Sequence, residues 1–252
     1  MSGEINGVLS GALAMEMKLD VLSNNMANVN TVGFKEDRLF QLPWASEHLR
    51  DGIQQDSSNV AVNNISNLAV GTFTDFGQGQ LKNTGNTLDF SLAGDGFFSV
   101  QTPNGVQYTR NGNFALNKDS VIVTQEGYPV LGTNNNPLKV TGQPVTVDPS
   151  GAIQAAGAQV GSFNIVDFPD KQQLVKSGGS LYSPQNTNVQ GTPVPASKVK
   201  IQQGFIETSN VDSVKMMTEM IEVVRGYETY QKVLQSVNDI TSRTVNDVGK
   251  IS

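Results

Sequence analysis

Residues 209–248 read SNVDSVKMMTEMIEVVRGYETYQKVLQSVNDITSRTVNDV. Met216, Met220, Val223, Tyr227, Tyr230, Leu234, Val237, Thr241, Val245 and Val248 step by fours and threes. That is heptad-like spacing on one face of a long helix. A second stripe, Val214, Met217, Ile221 and Val224, flanks the first half. A helix that is apolar on two faces needs a partner on each. Ser209 with Asp212 three residues on is a weak capping-box variant. At ~1.5 Å per residue the helix would span roughly 60 Å, more than a body of this size needs for closure. Gly226 interrupts it at a cost of up to ~1 kcal/mol relative to Ala, and a glycine there lets a neighbouring helix come close.

The other end of the chain repeats the pattern. Over residues 3–29, Ile5, Leu9, Ala12, Met15, Leu19, Leu22, Met26 and Val29 are three or four apart, a narrow stripe resembling a helix–helix seam. Ser2 suits an N-cap with Glu4 in the first turn. The Asn-rich run from Asn24 through Asn25 and Asn28 to Gly33 ends the helix, because Asn and Gly tolerate left-handed backbone.

Between the helices the period changes. Phe34, Leu39, Phe40, Leu42 and Trp44 form an apolar patch broken by Pro43, and residues 50–67 are polar; 35–70 read as a loop with a short strand. From about 71 to 204 the period is two, with turn signals such as Pro103-Asn104-Gly105, Asn111-Gly112 and Asp148-Pro149-Ser150-Gly151. Strand-like runs fall at 87–92, 97–101, 121–124, 128–131, 161–168 and 199–206. The expected fold is therefore mainly β with terminal α-helices. Its expected parts are an N-terminal assembly helix and loop (1–34), a connecting segment (35–70), a β-rich body (71–204) and a C-terminal assembly helix (205–252), the two helices forming a coiled-coil-like layer.

Composition removes several function classes. Seventeen basic against 23 acidic residues give −6. A duplex-binding protein needs a basic face, and no polybasic cluster suggests a membrane surface. With no cysteine and His48 as the single histidine, thiolate chemistry and His-rich metal sites are excluded, and no cofactor is expected. No stretch approaches ~18 uninterrupted apolar residues. The N-terminal run has no basic leader, so no cleaved secretory signal is expected. Gly77-Gln78-Gly79 and Gly94-Asp95-Gly96 lack dinucleotide-binding spacing and read as turns. Glu47 beside His48 gives no relay geometry. Asp89, Asp95, Asp167 and Asp170 are the candidates for the carboxylate pair of a glycan-cleaving enzyme, but they are scattered. An exported carbohydrate-active enzyme and a β-rich surface adhesin stay open alternatives; neither accounts for seams at both termini. Helical stripes also cover ordinary cores, but these lie at opposite ends of a chain whose middle has its own β pattern. No catalytic, cofactor or metal residue is assigned.

Three stretches carry a resemblance. The segment LSNNMANVNTVGFK (22–35) resembles the N-terminal signature of the bacterial flagellar rod, hook and hook-associated family. The run QGFIETSNVD (203–212), continued by Met220-Ile221 and Arg225-Gly226-Tyr227-Glu228, resembles its C-terminal signature. GDGFF (94–98) with YTRNGNF (108–114) resembles the body shared by rod and hook proteins. The signature positions are Asn24, Asn25, Asn28, Gly33, Phe34, Gly204, Ser209 and Asn210. The resemblance implies a non-enzymatic subunit of the hollow drive shaft in the flagellar basal body, spanning the periplasm. It implies partners in other rod subunits, further copies of itself and the flagellar type III export apparatus, with neither nucleic acid nor membrane insertion. Leu9, Leu19, Leu22, Met26, Val29, Met220, Val224, Tyr227, Leu234 and Val237 are then the expected assembly interface. GQLKNTGNTLD (79–89) and MTEMI (217–221) are similar to proximal-rod members of the family; the distal rod is the alternative.

Overall fold

The computed structural model describes residues 2–43, 63–65, 68–142, 144–185, 191–194 and 198–248. Trp44, His48 and most of the polar stretch 50–67 lie outside the described residues, as do the side chains of Ile5, Thr241, Val245 and Val248. The chain folds as two compact units. One comprises Met1–Ala27, Asp37–Phe73 and Asp212–Ser252; the other comprises Asn28–Glu36 and Thr74–Val211.

The first unit is built on two helices, α1 (Ser2–Ala27) and α2 (Ser213–Val248). They follow the periodic stripes, and α1 stops inside the Asn-rich run as expected. At 36 residues, α2 is about 54 Å long. Its N-cap differs from the expectation. Asp212, not Ser209, accepts from the amides of Val214 (3.0 Å) and Lys215 (3.1 Å). A carboxylate suits the positive helix end better than a hydroxyl four residues upstream can. α1 and α2 pack together. Gly11 faces Tyr230 and Gly226 faces Met15, so the pair runs antiparallel. The close approach is at Gly11, where an added Cβ would lie 2.6 Å from the Tyr230 ring; at Gly226 it would meet Met15 Sδ at an ordinary 3.6 Å.

The same unit holds more strand than the sequence suggests. Asp37–Pro43, Leu68–Thr74 and Asn63–Ile65 form a three-stranded sheet in that order. The Phe40 and Phe73 rings lie 6.4 Å apart. No described helix is long and apolar enough to cross a membrane.

The second unit is the β body. Its largest sheet has six strands in the order Leu174–Gly178, Leu181–Pro184, Gly105–Thr109, Phe97–Thr102, Ile165–Asp167, Thr192–Pro193. All described pairings in it are antiparallel, built on hairpins such as 97–109. Successive strand residues point to opposite faces, and adjacent Phe97 and Phe98 enter different cores. Phe98 joins Phe90, Val100, Phe114, Ile153 and Phe163. Phe97 joins Val166, Phe168, Leu174 and Tyr182. The expected run at 199–206 is two strands: Lys200–Gln203 pairs with Phe90–Ala93, and Phe205–Glu207 pairs with Leu81–Asn83. Gly204 (φ +80°) makes the corner between them. The 161–168 run also breaks, into Ala158–Ser162 and Ile165–Asp167.

Candidate functional site

In the helical unit, the α2 stripe facing α1 contains buried Met216 and Val223, with Met220, Tyr227, Tyr230, Leu234 and Val237 half-buried. From α1, Ala12 and Leu22 are buried, while Met15, Leu19 and Met26 are half-buried. The second α2 stripe points the other way. Val214 is 73% exposed, Met217 55%, Ile221 55% and Val224 38%. On α1, Leu9 (47%) and Leu13 (36%) also face outward. Of the expected interface residues, Leu22 is thus buried within the helical unit, whereas Leu9 and Val224 lie on its surface. Val29 falls beyond the end of α1, in the other unit. Asn25 belongs to the helical unit. It brackets Asp37, its Nδ2 donating to the Asp37 carbonyl (2.7 Å) and its Oδ1 accepting from the Asp37 amide (2.9 Å). Asn24 is exposed.

The remaining signature residues meet in the β unit, where the chain comes in through 28–36 and leaves through 205–211. Asn28 closes a turn, its Oδ1 accepting from the Thr31 hydroxyl (3.1 Å). Gly33 (φ +69°) donates its amide to the Glu207 carbonyl (2.8 Å) and lies flat on the Arg110–Asn111 backbone. Phe34 is buried with the Lys176 ammonium 4.1 Å from its ring centre, and that ammonium donates to the Lys35 carbonyl (2.6 Å). Asn210 accepts from the Glu36 amide (2.7 Å) and donates to the Asp75 carbonyl (2.9 Å). The Ser209 hydroxyl accepts from the Val211 amide (3.2 Å). Gly204 donates to the Asp89 carbonyl and accepts from Thr84 and Gly85.

At the centre is a charge cluster that the sequence reading did not single out. Lys35 Nζ donates to Glu207 Oε1 (2.5 Å) and to the Gly77 carbonyl (2.8 Å). Arg110 reaches Glu207 Oε2 (3.3 Å) and the Gly94 carbonyl (2.9 Å). The Gly79 amide also donates to Glu207 (2.9 Å). Lys35 and Glu207 side chains are fully buried and Arg110 nearly so. Burial holds the Lys35 ammonium below the ordinary lysine pKa, with Glu207 pulling the other way. One charge comes from each resembling stretch: Lys35 from the first, Arg110 from the middle, Glu207 from the last. The signal available in the sequence was slight: only Glu207 follows an apolar pair, Phe205-Ile206, whereas Lys35 begins a charged run and Arg110 sits between Thr109 and Asn111.

The scattered aspartates have local tasks. Asp89 accepts from Thr84, Asn86 and Asn113. Asp95 pairs with Lys171, which also lies 3.8 Å from Asp167. Asp170 caps the short 3-10 helix Lys171–Gln173. Among the described residues no group of three His, Asp or Glu side chains could hold a metal ion.

Comparison with known proteins follows the same three stretches. Residues 9–35 match the family described as flagella basal body rod protein. Residues 91–155 match the flagellar hook protein FlgE/F/G D1 domain, and 202–247 the flagellar basal body rod FlgEFG protein C-terminal family. The chain is 33% identical to the flagellar basal-body rod protein FlgF of Caulobacter vibrioides, over 97% of each chain. It is 31% identical to FlgG of Bacillus subtilis, over 94% of this chain and 96% of the relative. It is 30% identical to FlgF of Mesorhizobium japonicum over the full length of both. Matching signatures at both ends, a matching body between them and full-length identity at this level place the chain in the flagellar basal-body rod protein family.

Proposed function

We propose that this protein is a structural subunit of the flagellar rod that polymerises through α1 and α2. The observation carrying this reading is the outward stripe Val214, Met217, Ile221 and Val224, on a helix whose opposite face is already occupied by α1. Four large apolar side chains along one exposed edge cost solvation in the free chain and suit a helix of a neighbouring subunit. Leu9 and Leu13 give α1 its own outward patch. Two different patches on one helical unit make a head-to-tail contact, which propagates as a helical array rather than closing as a dimer. In this reading the packed helices of successive subunits form a coiled-coil-like layer. Leu9 and Val224 meet neighbours directly. Leu19, Leu22, Met26, Met220, Tyr227, Leu234 and Val237 hold the pair that presents them, and Val29 follows at its end. The layer lines a shaft in the periplasm, reached through the flagellar export apparatus.

Within the rod we favour the proximal segment, on the similarity of 79–89 and 217–221 to proximal-rod members. The near-equal identity to FlgF and FlgG relatives supports the distal rod as the second reading. Basal bodies purified from a strain carrying a tagged copy test both. The tag should co-purify with the rod, and labelling should fall at its membrane end. Label at the hook end would replace the proximal with the distal reading, and absence from basal bodies would remove the rod reading altogether.

A further inference from the structure

The buried cluster contains two cations and one carboxylate, and its geometry is lopsided. Glu207 keeps three donors: Lys35, Arg110 and the Gly79 amide. Lys35 has one charged partner in contact, and that partner is separated from it by 172 residues of chain. The outbound segment could dock alone and still pair Glu207 with Arg110. The inbound segment could not. With 205–211 absent, Lys35 would keep only the Gly77 carbonyl as a hydrogen-bond partner and Asp75 as a more distant countercharge, and a poorly compensated buried charge is far worse than a solvated one. Lys176 and Ser180 hold the Lys35 and Val32 carbonyls without help from 205–211, but two further backbone amides of 28–36 depend on that segment. The Gly33 amide needs the Glu207 carbonyl, and the Glu36 amide needs Asn210.

We propose that Lys35, Glu207 and Arg110 form a one-way latch: the N-terminal signature segment docks on the β unit only after the C-terminal signature segment has docked. The device is conditional order. Residues 28–36 emerge first in synthesis yet stay undocked until nearly the whole chain is available. The inbound and outbound ends of the β unit are thereby set together, in one register, by charge. The latch belongs to the single folded chain and does not depend on the assembly reading.

Hydrogen exchange of the full-length monomer, read peptide by peptide, tests this. Glu207→Gln keeps the side-chain shape and an acceptor but leaves both cations, Lys35 and Arg110, without their carboxylate. Exchange over 28–36 should quicken at least tenfold, with the strand Phe97–Thr102 unchanged. Lys35→Met leaves Arg110 and Glu207 as a one-to-one pair, and 205–211 should stay within about twofold of wild type. The double variant Lys35→Met/Glu207→Gln removes the stranded ammonium and leaves Arg110 on the Gly94 carbonyl and the amide oxygen of the substituted side chain, so protection over 28–36 should rise well above that of Glu207→Gln. If Glu207→Gln fails to fold while the double variant folds, the stranded charge is still identified as the cause. Unchanged exchange at 28–36 in Glu207→Gln overturns the latch. So does uniform loosening that includes 97–102, or a double variant no better than Glu207→Gln.

Discussion

Replacing Gly33 by Ala probes the inbound segment at its tightest point. Gly33 sits at φ +69°, where a residue with a Cβ incurs about 1–2 kcal/mol. The added Cβ would also lie 2.4 Å from the Asn111 nitrogen and 2.6 Å from the Arg110 carbonyl carbon, against a comfortable separation of about 3.5 Å. These are backbone atoms just past the paired strand Gly105–Thr109 and cannot swing aside, so the segment must lift by roughly 1 Å, with ordinary contact distances as the guide. That breaks the 2.8 Å bond from the Gly33 amide to the Glu207 carbonyl, leaving a buried pair unsatisfied at about 1–3 kcal/mol. The sum is about 2–5 kcal/mol, or between about thirty- and several-thousand-fold in the docking equilibrium of 28–36. Gly85→Ala is the control. Gly85 has nearly the same φ (+71°) but nothing within 4 Å of an added Cβ, so it should show the backbone cost alone. Exchange over 28–36 and a denaturant titration of each variant measure the two. Equal losses in Gly33→Ala and Gly85→Ala would refute the reasoning, because the close approach would then contribute nothing.

Three further outcomes follow from particular contacts. Phe98→Ala empties a fully buried site among Phe114, Phe163 and Val100; a thermal melt should register a loss of about 3–5 kcal/mol. Asp212→Ala removes the acceptor for two helix-start amides; exchange over 213–217 should rise by the equivalent of ~1 kcal/mol, with the β unit's melt unmoved. Asp95 and Asp148 are held below the ordinary value of 3.8, Asp95 by the Lys171 hydrogen bond and Asp148 by the Ser150 hydroxyl. The unfolded chain therefore binds these protons first on acidification, so this stabilisation is present above about pH 4 and fades as pH falls through the folded-state values; Lys171→Met should flatten the acid limb of a stability–pH curve.

Both helices were legible because a 3.6-residue period is written in few residues and survives tertiary context. The stripe through Met216, Val223 and Tyr227 faces α1, and the flanking stripe through Val214 and Ile221 is left outside. The cap was misplaced because Ser209 and Asp212 are both good N-caps, and only the path of 205–211 decides between them. Strand Asp37–Pro43 was obscured by its own charges and by Pro43; its partner Leu68–Thr74 lies beyond a long polar stretch. The break at Gly204 was hidden inside the single strand-like run Val199–Ile206, where one glycine reads as tolerated until a left-handed angle is seen. The buried charge cluster was the least visible. Glu207 in a strand has the look of a solvated edge residue, and its burial depends on Lys35 and Arg110, which sequence spacing does not bring together.

The assembly account rests on the outward stripe of α2, and Val224→Asp addresses it directly. Val224 is exposed in the single chain, so the change should leave both units folded. In a subunit contact it would bury an unpaired carboxylate at several kcal/mol, repeated at every subunit. The measurement is the protein content of basal bodies purified from a strain whose only copy carries Val224→Asp. Export of the chain is assayed in parallel, and Lys118→Asp on an exposed turn of the β unit serves as the control. The account predicts that the Val224→Asp chain is exported and folded, absent from the basal bodies, and unable to support swimming, while Lys118→Asp is incorporated. Normal incorporation and swimming with Val224→Asp would contradict it.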